Sequence, residues 1–258
     1  MILDKIIEVK KEEVTRLKRI RPFQELKNAI RDLPSPRNFH EAISGRECAI
    51  IAEVKRRSPS KGILKEDFDP VRIANIYEAS GAAAVSILTD SEFFGGDEAY
   101  LANIKKCVCL PLLRKDFIID LYQIYETRYV QADAILLIAG ILDKEQLREY
   151  SGLAQSLGLS VLCEIHSHEE LDKALASDAR FIGINNRALT TFSVDLMSSI
   201  NLAPYIPTDR IVVSESGIRS RGDIETLKNA GIHAFLIGET LMTSDDMGRK
   251  LRQLLGKE

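Results

Sequence analysis

Short runs of apolar and β-branched residues recur along the chain. They begin near Ala49 (AIIAEVK), Ala84 (AVSILTD), Leu110 (LPLLRKDF), Ala134 (AILLIA), Ser160 (SVLCEI), Phe181 (FIGINN), Ile211 (IVVSESG) and Ala234 (AFLIGE). Their starts lie about 26 residues apart on average, enough for one strand, one helix and two short loops. Most runs lack polar alternation, as expected of parallel strands covered on both faces. The segments between them carry helix signals. Asp69-Pro70 caps and opens a helix over 71–80 that Gly81 stops. Ser167 with Glu170 reads as a capping box opening a helix to about Ser177. Ser220 and Asp223 open another, which ends at Gly231.

Eight strand–helix units predict an α/β protein built as a (β/α)8 TIM barrel, with residues 1–258 forming one domain. A doubly wound open sheet is the rival, but no G-x-G-x-x-G follows the first strand. Residues 1–45 precede the barrel. Ile2, Ile6, Ile7, Val14 and Leu17 share helical spacing up to the break at Pro22, and 23–31 forms a second short helix. This extension is too small to bury a core of its own and is expected to pack on the barrel.

Period two along the first strand puts Ile51, Glu53 and Lys55 on one face, with Ala52 and Val54 turned to the helices. Lys115 ends the third run, Glu164 the fifth, Asn185 the sixth and Glu215 the seventh. Such residues converge on the C-terminal mouth, where barrel enzymes keep their active sites. Arg114, one residue before Lys115, faces the helices by the same parity. Ser216-Gly217 after the seventh strand and Gly238-Glu239 after the eighth suit a phosphate held by backbone N–H groups. The loop Ser58-Pro59-Ser60-Lys61-Gly62 adds hydroxyls and a cation. Read from the residues alone, this is a barrel that binds a phosphorylated small molecule and uses Lys/Glu acid–base chemistry. The reaction stays open.

Composition narrows the partners. A net charge of −3 lacks the basic surplus of a nucleic-acid binder. The longest apolar stretch, Ala134 to Leu142, falls far short of the ~20 residues that span a bilayer. Met1 to Lys5 carries no apolar secretory core, so a cytoplasmic location is expected, as a monomer or weak homodimer. Cys48, Cys107, Cys109 and Cys163 show no C-x-x-C spacing and read as structural. His40, His166, His168 and His233 give no ligand cluster, so no metal is expected.

Five strings carry a resemblance: IIAEVKRRSPSKG (50–62), LRKDFIID (113–120), CEIHSHEEL (163–171), GINNRAL (183–189) and VSESGI (213–218). Together they resemble the indole-3-glycerol phosphate synthases of tryptophan biosynthesis, over nearly the whole chain. The resemblance implies a carboxy-lyase that needs no cofactor or metal. Its substrate would be 1-(2-carboxyphenylamino)-1-deoxyribulose 5-phosphate, and the product forms with loss of CO2 and water. Lys115 would be the general acid on the ribulose carbonyl, and Glu164 would serve the later steps. Glu53 and Lys55 would position substrate and share proton transfer, while Asn185 and Glu215 order the site. Arg187 would lie near the anthranilate carboxylate. Ser58, Ser216, Gly217, Gly238 and Glu239 would form the phosphate cradle, Glu239 through its backbone only. The resemblance also puts the extension over the mouth. A lysine near other cations and partly desolvated should lose pKa, which is the expectation for Lys115. A Schiff-base aldolase on the same fold and a non-catalytic sugar-phosphate binder are the alternatives.

Overall fold

A computed structural model describes residues 2–188 and 192–257. The eight runs become eight strands: β1 (Ala49–Val54), β2 (Ala84–Leu88), β3 (Leu112–Lys115), β4 (Ala134–Ile138), β5 (Ser160–Ile165), β6 (Phe181–Asn185), β7 (Ile211–Glu215) and β8 (Ala234–Ile237). Every neighbouring pair is parallel, and β1 pairs with both β2 and β8, so the barrel closes. Closure removes the unpaired edges that an open sheet would present. A two-stranded hairpin, Arg57–Ser58 with Gly62–Ile63, stands in the loop after β1. The third run starts at Leu112 rather than Leu110, which leaves Cys107 and Cys109 exposed before the strand and not within it.

Strand parity sorts the core into two layers. Ala49, Ile51, Leu113, Leu136, Leu162, Phe181, Val213 and Leu236 pack inside the barrel. Ile50, Ala52, Val54, Ile135, Leu137, Cys163 and Ile182 face the surrounding helices. Those helices follow their strands: α4 (Pro70–Ala79), α5 (Ser91–Phe94), α6 (Glu98–Lys105), α7 (Leu121–Tyr129), α8 (Lys144–Ser156), α9 (His168–Leu175), α10 (Met197–Leu202), α11 (Arg221–Asn229), α12 (Glu239–Met242) and α13 (Met247–Leu255). Asp69 caps α4 through the N–H groups of Val71 and Arg72, with Pro70 in the first turn. Ser220 and Asp223 form a reciprocal capping box on α11. The expected box on α9 is only half made. Ser167 accepts from the Glu170 N–H, but the Glu170 carboxylate passes the cap residue and accepts from the His166 N–H instead, at 2.7 Å. That helix ends at Leu175, short of Ser177.

The extension folds as α1 (Ile2–Ile20), α2 (Phe23–Ala29) and a helix absent from the sequence reading, α3 (Phe39–Ile43). Its five residues span little more than one helical turn, too short for a periodic signal. Asn38 caps it, and Phe39 enters the barrel's N-terminal end edge-on to Phe181, ring centroids 5.2 Å apart. At the opposite end Ile2, Leu3 and Ile6 of α1 line the mouth. The connection between them is tied along the wall by Arg37, whose guanidinium donates to the carbonyls of Leu110 and Lys105. The extension thus covers both ends of the barrel.

Among the described residues, no helix is long and apolar enough to cross a membrane, and no group of His, Cys, Asp and Glu could hold a metal ion.

Candidate active site

The inward positions nearest the C-terminal ends of β1, β3, β5, β6 and β7 are polar, and they meet. Lys115 Nζ donates to Glu164 Oε2 at 2.5 Å and to Glu215 Oε2 at 3.0 Å. Asn185 Nδ2 donates to the other Glu164 oxygen at 3.2 Å. Lys55 and Glu53 form their own pair at 2.6 Å. One cavity is lined by all the residues singled out in the sequence except Gly217 and Gly238. Those two line an adjoining cavity that shares Glu53, Lys55, Arg187, Ser216 and Glu239. The two spaces make one continuous site.

The expectation for the Lys115 pKa is wrong in sign. Burial works to lower it, but the charges of Glu164, Glu215 and Glu53 outweigh burial and hold the ammonium protonated, well above the usual lysine range. The cations counted in the sequence are engaged elsewhere. Lys55 pairs with Glu53, and Lys61 pairs with Glu239 at 2.7 Å. The two carboxylates on Lys115 part company. Burial raises Glu164, yet Lys115 and then His166 overcome it and the group falls below the usual carboxylate range. Glu215 rises, because burial and the neighbouring Glu164 and Glu53 charges outweigh its share of Lys115. An ionised carboxylate and a more readily protonated one therefore flank the same ammonium, a division common at acid–base sites.

Glycine makes room for this arrangement. A Cβ on Gly183, an inward position of β6, would collide with the Glu215 carboxylate. A Cβ on Gly238 would come within 2.5 Å of Glu53 Oε1. The turn after β7 is left-handed at two successive residues, Ser216 (φ 66°) and Gly217 (φ 82°). A side chain seldom adopts that conformation, and here Asn186 holds it, donating to the Ser216 carbonyl at 3.1 Å and to Ser214 Oγ at 3.0 Å. At Gly217 an added Cβ would strike the Val194 side chain. Arg187 donates to Glu239 at 3.0 Å and to the Phe192 carbonyl at 3.3 Å, between the two spaces. The Glu239 side chain, expected to take no part, thus ties Arg187 to Lys61.

The opposite wall is apolar: Ile2, Leu3, Ile6, Phe94, Phe117, Leu136 and Ile138. Ile2 and Ile6 were named only as the apolar face of the extension, and none of the others was singled out, because an inward Leu at a strand end looks like any core residue. Asn186, Gly183, His166 and Lys10 were missed too. The doubled Asn of GINNRAL and the Gly two places before Asn185 were the available signals; Leu189, which ends that string, lies outside the described residues.

A sequence model described as indole-3-glycerol phosphate synthase matches residues 3–254. The chain belongs to the indole-3-glycerol phosphate synthase family. An indole-3-glycerol phosphate synthase of Alkaliphilus metalliredigens is 50% identical over 255 residues, covering 98% of each chain. Another, from Acetivibrio thermocellus, is 49% identical over 257 residues with the same coverage. Among solved structures, a mutant tryptophan synthase α-subunit of Pyrococcus furiosus superposes with a TM-score of 0.62 at 14% identity, over 81% of this chain and 98% of that one. A 3-hexulose-6-phosphate synthase does so at 0.64 and 12%, over 81% and 99%. At such identities the likeness is one of fold. Membership of the synthase family makes this a carboxy-lyase acting on a small phosphorylated substrate.

Proposed function

We propose that the chain closes the indole ring of 1-(2-carboxyphenylamino)-1-deoxyribulose 5-phosphate, with Lys115 as general acid. The observation that carries this reading is Lys115 held between Glu164 and Glu215 beneath an apolar wall. The aryl ring would lie against Phe94, Phe117 and the first turns of α1. The phosphate would sit at the 216–217 and 238–239 loops, which line the adjoining cavity together with the positive charge of Lys55 and Arg187. Spanning the two subsites folds the substrate so that the ring carbon bearing the carboxylate faces the ribulose carbonyl. Holding reactants in that geometry removes much of the entropic barrier.

The new carbon–carbon bond takes its electron pair from the aniline ring, and the carbonyl π pair moves onto oxygen. Lys115 donates its proton to that oxygen. Loss of CO2 returns a pair to the ring and restores aromaticity. The hydroxyl then leaves as water after protonation, and the adjacent carbon gives up a proton to form the second indole double bond. Glu164, ionised beside Lys115, fits the base, and Glu215, which accepts a proton more readily, fits a partner that recharges the lysine. Glu53 and Lys55 would orient the sugar hydroxyls, and Asn185 fixes the Glu164 carboxylate. Ser58 lies beside the mouth, buried in the hairpin, within the proposed cradle.

A lysine kept protonated by two carboxylates is a poor imine-forming nucleophile, which supports the acid role over a Schiff-base aldolase. The test is direct. Purified chain with the carboxyphenylamino sugar phosphate and no added metal should release a product with indole fluorescence. Lys115→Met should abolish it, and borohydride with substrate should leave the protein mass unchanged. An imine adduct, or no indole from the wild-type chain, overturns the reading.

A further inference from the structure

His166 lies just past the end of β5, two residues after Glu164, and the Glu170 side chain that left the α9 cap closes on it. Glu170 Oε2 accepts from the His166 backbone N–H at 2.7 Å and lies 3.3 Å from Nδ1 of the same residue. A carboxylate only accepts, so Nδ1 carries a proton. The opposite ring nitrogen, Nε2, is buried, has no hydrogen-bond partner among the described residues, and points at Glu164 Oε1 from 3.7 Å. That oxygen is the one Asn185 holds, on the side of the carboxylate away from the Lys115 contact. Gly140 leaves the space Glu170 needs, since a Cβ there would come within 2.9 Å of Glu170 Oε1.

We infer that His166, anchored by Glu170, is a positioning residue that presents a fixed positive charge to Glu164 opposite Lys115. With Nδ1–H committed to Glu170, a neutral ring would aim its Nε2 lone pair at a carboxylate, whereas the imidazolium aims an N–H. The largest charge interactions of the ring are with Glu164 on β5, Glu170 on α9 and Glu215 on β7, all acidic, while Lys115 on β3 holds Glu164 and Glu215 from the other side. Burial opposes the charged ring, and the Glu170 hydrogen bond with the Glu164 charge overcomes it, so the histidine stays protonated to higher pH than usual. The imidazolium is a second cation on that carboxylate, and it keeps Glu164 ionised after Lys115 has given its proton away. That is the moment when a lone Lys–Glu pair would lose its attraction and let the carboxylate reclaim a proton. The inference rests on the proposed role of Glu164 as base.

The experiment has two readouts on the full chain. Side-chain nitrogen NMR, with His166 assigned by its loss in His166→Asn, should show Nδ1 protonated throughout and a titration above that of an ordinary histidine. Glu164→Gln and Glu170→Gln should each lower it. In steady-state assays, His166→Asn should cut kcat roughly tenfold, the low end of the loss when an outer partner of a working side chain is removed, with KM within about twofold. The acidic limb of the kcat profile should move to higher pH, because Glu164 has lost a cation. A merely structural histidine would leave that limb in place. A ring neutral at pH 7, a titration indifferent to Glu164→Gln, or an unmoved acidic limb each overturns the inference. Absence of indole from the wild-type chain instead fails the reaction assignment and leaves the NMR result standing on its own.

Discussion

Lys10 Nζ of α1 lies 2.9 Å from Asp116 Oδ1, the residue immediately after Lys115. The same ammonium reaches Asp90 at 3.1 Å and Glu13 at 2.8 Å, and Lys10 is 1% exposed. A buried lysine thus pins the helix over the mouth to two loops of the barrel. Lys10→Met would leave Asp90 and Asp116 buried without that cation, a change that costs on the order of 3–5 kcal/mol. Chemical denaturation should show the loss, and KM should rise because Ile2, Leu3 and Ile6 are no longer held against the site. A variant with unchanged stability and KM would show that α1 docks without the pin.

The same cluster gives a pH dependence. Burial favours protonated Asp116, but Lys10 and then Arg114 overcome it and hold the carboxyl at about 2, against 3.8 for an ordinary aspartate. A lowered folded-state value means stabilisation fully present above pH ~4 and lost as pH falls through about 2. Asp116→Asn should therefore lower the midpoint of thermal unfolding near neutrality and make unfolding less sensitive to acid in that window. Melting curves between pH 2 and 7 decide it.

Lys115→Met and its neighbour Arg114→Met should fail in different ways. Losing a general acid costs ~10²–10⁴-fold in kcat. Arg114 is buried on the helix side, as parity predicts, paired with Glu126 at 2.9 Å and Asp116 at 3.1 Å. Its loss should show in stability first. Measured binding of substrate to inert Lys115→Met should stay within about tenfold of the wild-type KM, since only a transition-state contact is gone. An equal kcat loss in a stably folded Arg114→Met would point to general positive charge.

Gly183→Ala tests the fit between β6 and Glu215. The added methyl must displace the carboxylate, so kcat should drop by at least tenfold, a fraction of the ~10²–10⁴ that acid–base groups contribute. The same alanine in a Glu215→Ala background should change little further, because the collision has gone. Additive losses in the double variant would mean that Gly183 matters for some other reason.

At the proposed phosphate loops, Gly217→Val and Gly238→Val should both raise KM strongly, for distinct reasons. The first meets Val194 and a left-handed backbone; the second meets Glu53. Adding Val194→Ala should recover part of the binding lost in Gly217→Val and none of that lost in Gly238→Val. Titration with inorganic phosphate reads both, and unchanged affinity in the two glycine variants would remove the loops from phosphate binding.

The barrel was legible because parallel strands buried on both faces leave long apolar runs, and because parity separates Ile51, Glu53 and Lys55 from Ala52 and Val54. The ring of polar strand ends followed from the same counting. Charge was not legible. The carboxylates that set Lys115 lie 49 and 100 positions further along the chain, and no local pattern links them to it. The α9 cap misled for a similar reason: Ser-x-x-Glu fits a reciprocal box, but the Glu170 carboxylate finds a better pair of donors on His166. In α3 the signal is a single turn, and only Phe39 against Phe181 reveals what it does.

The extension that closes both ends of the barrel also orders events in time. It precedes every strand in the chain, yet its anchors are Asp90, Asp116 and Phe181, spread over β2 to β6 and the loops between them. During synthesis α1 emerges before its partners in the loops after β2 and β3, and α3 before β6, so each must wait for strands made later. Contacts so distant in sequence form slowly, since a long loop must be closed before they stabilise anything. Helices made ahead of the strands then dock only after them, and the mouth takes its working shape late.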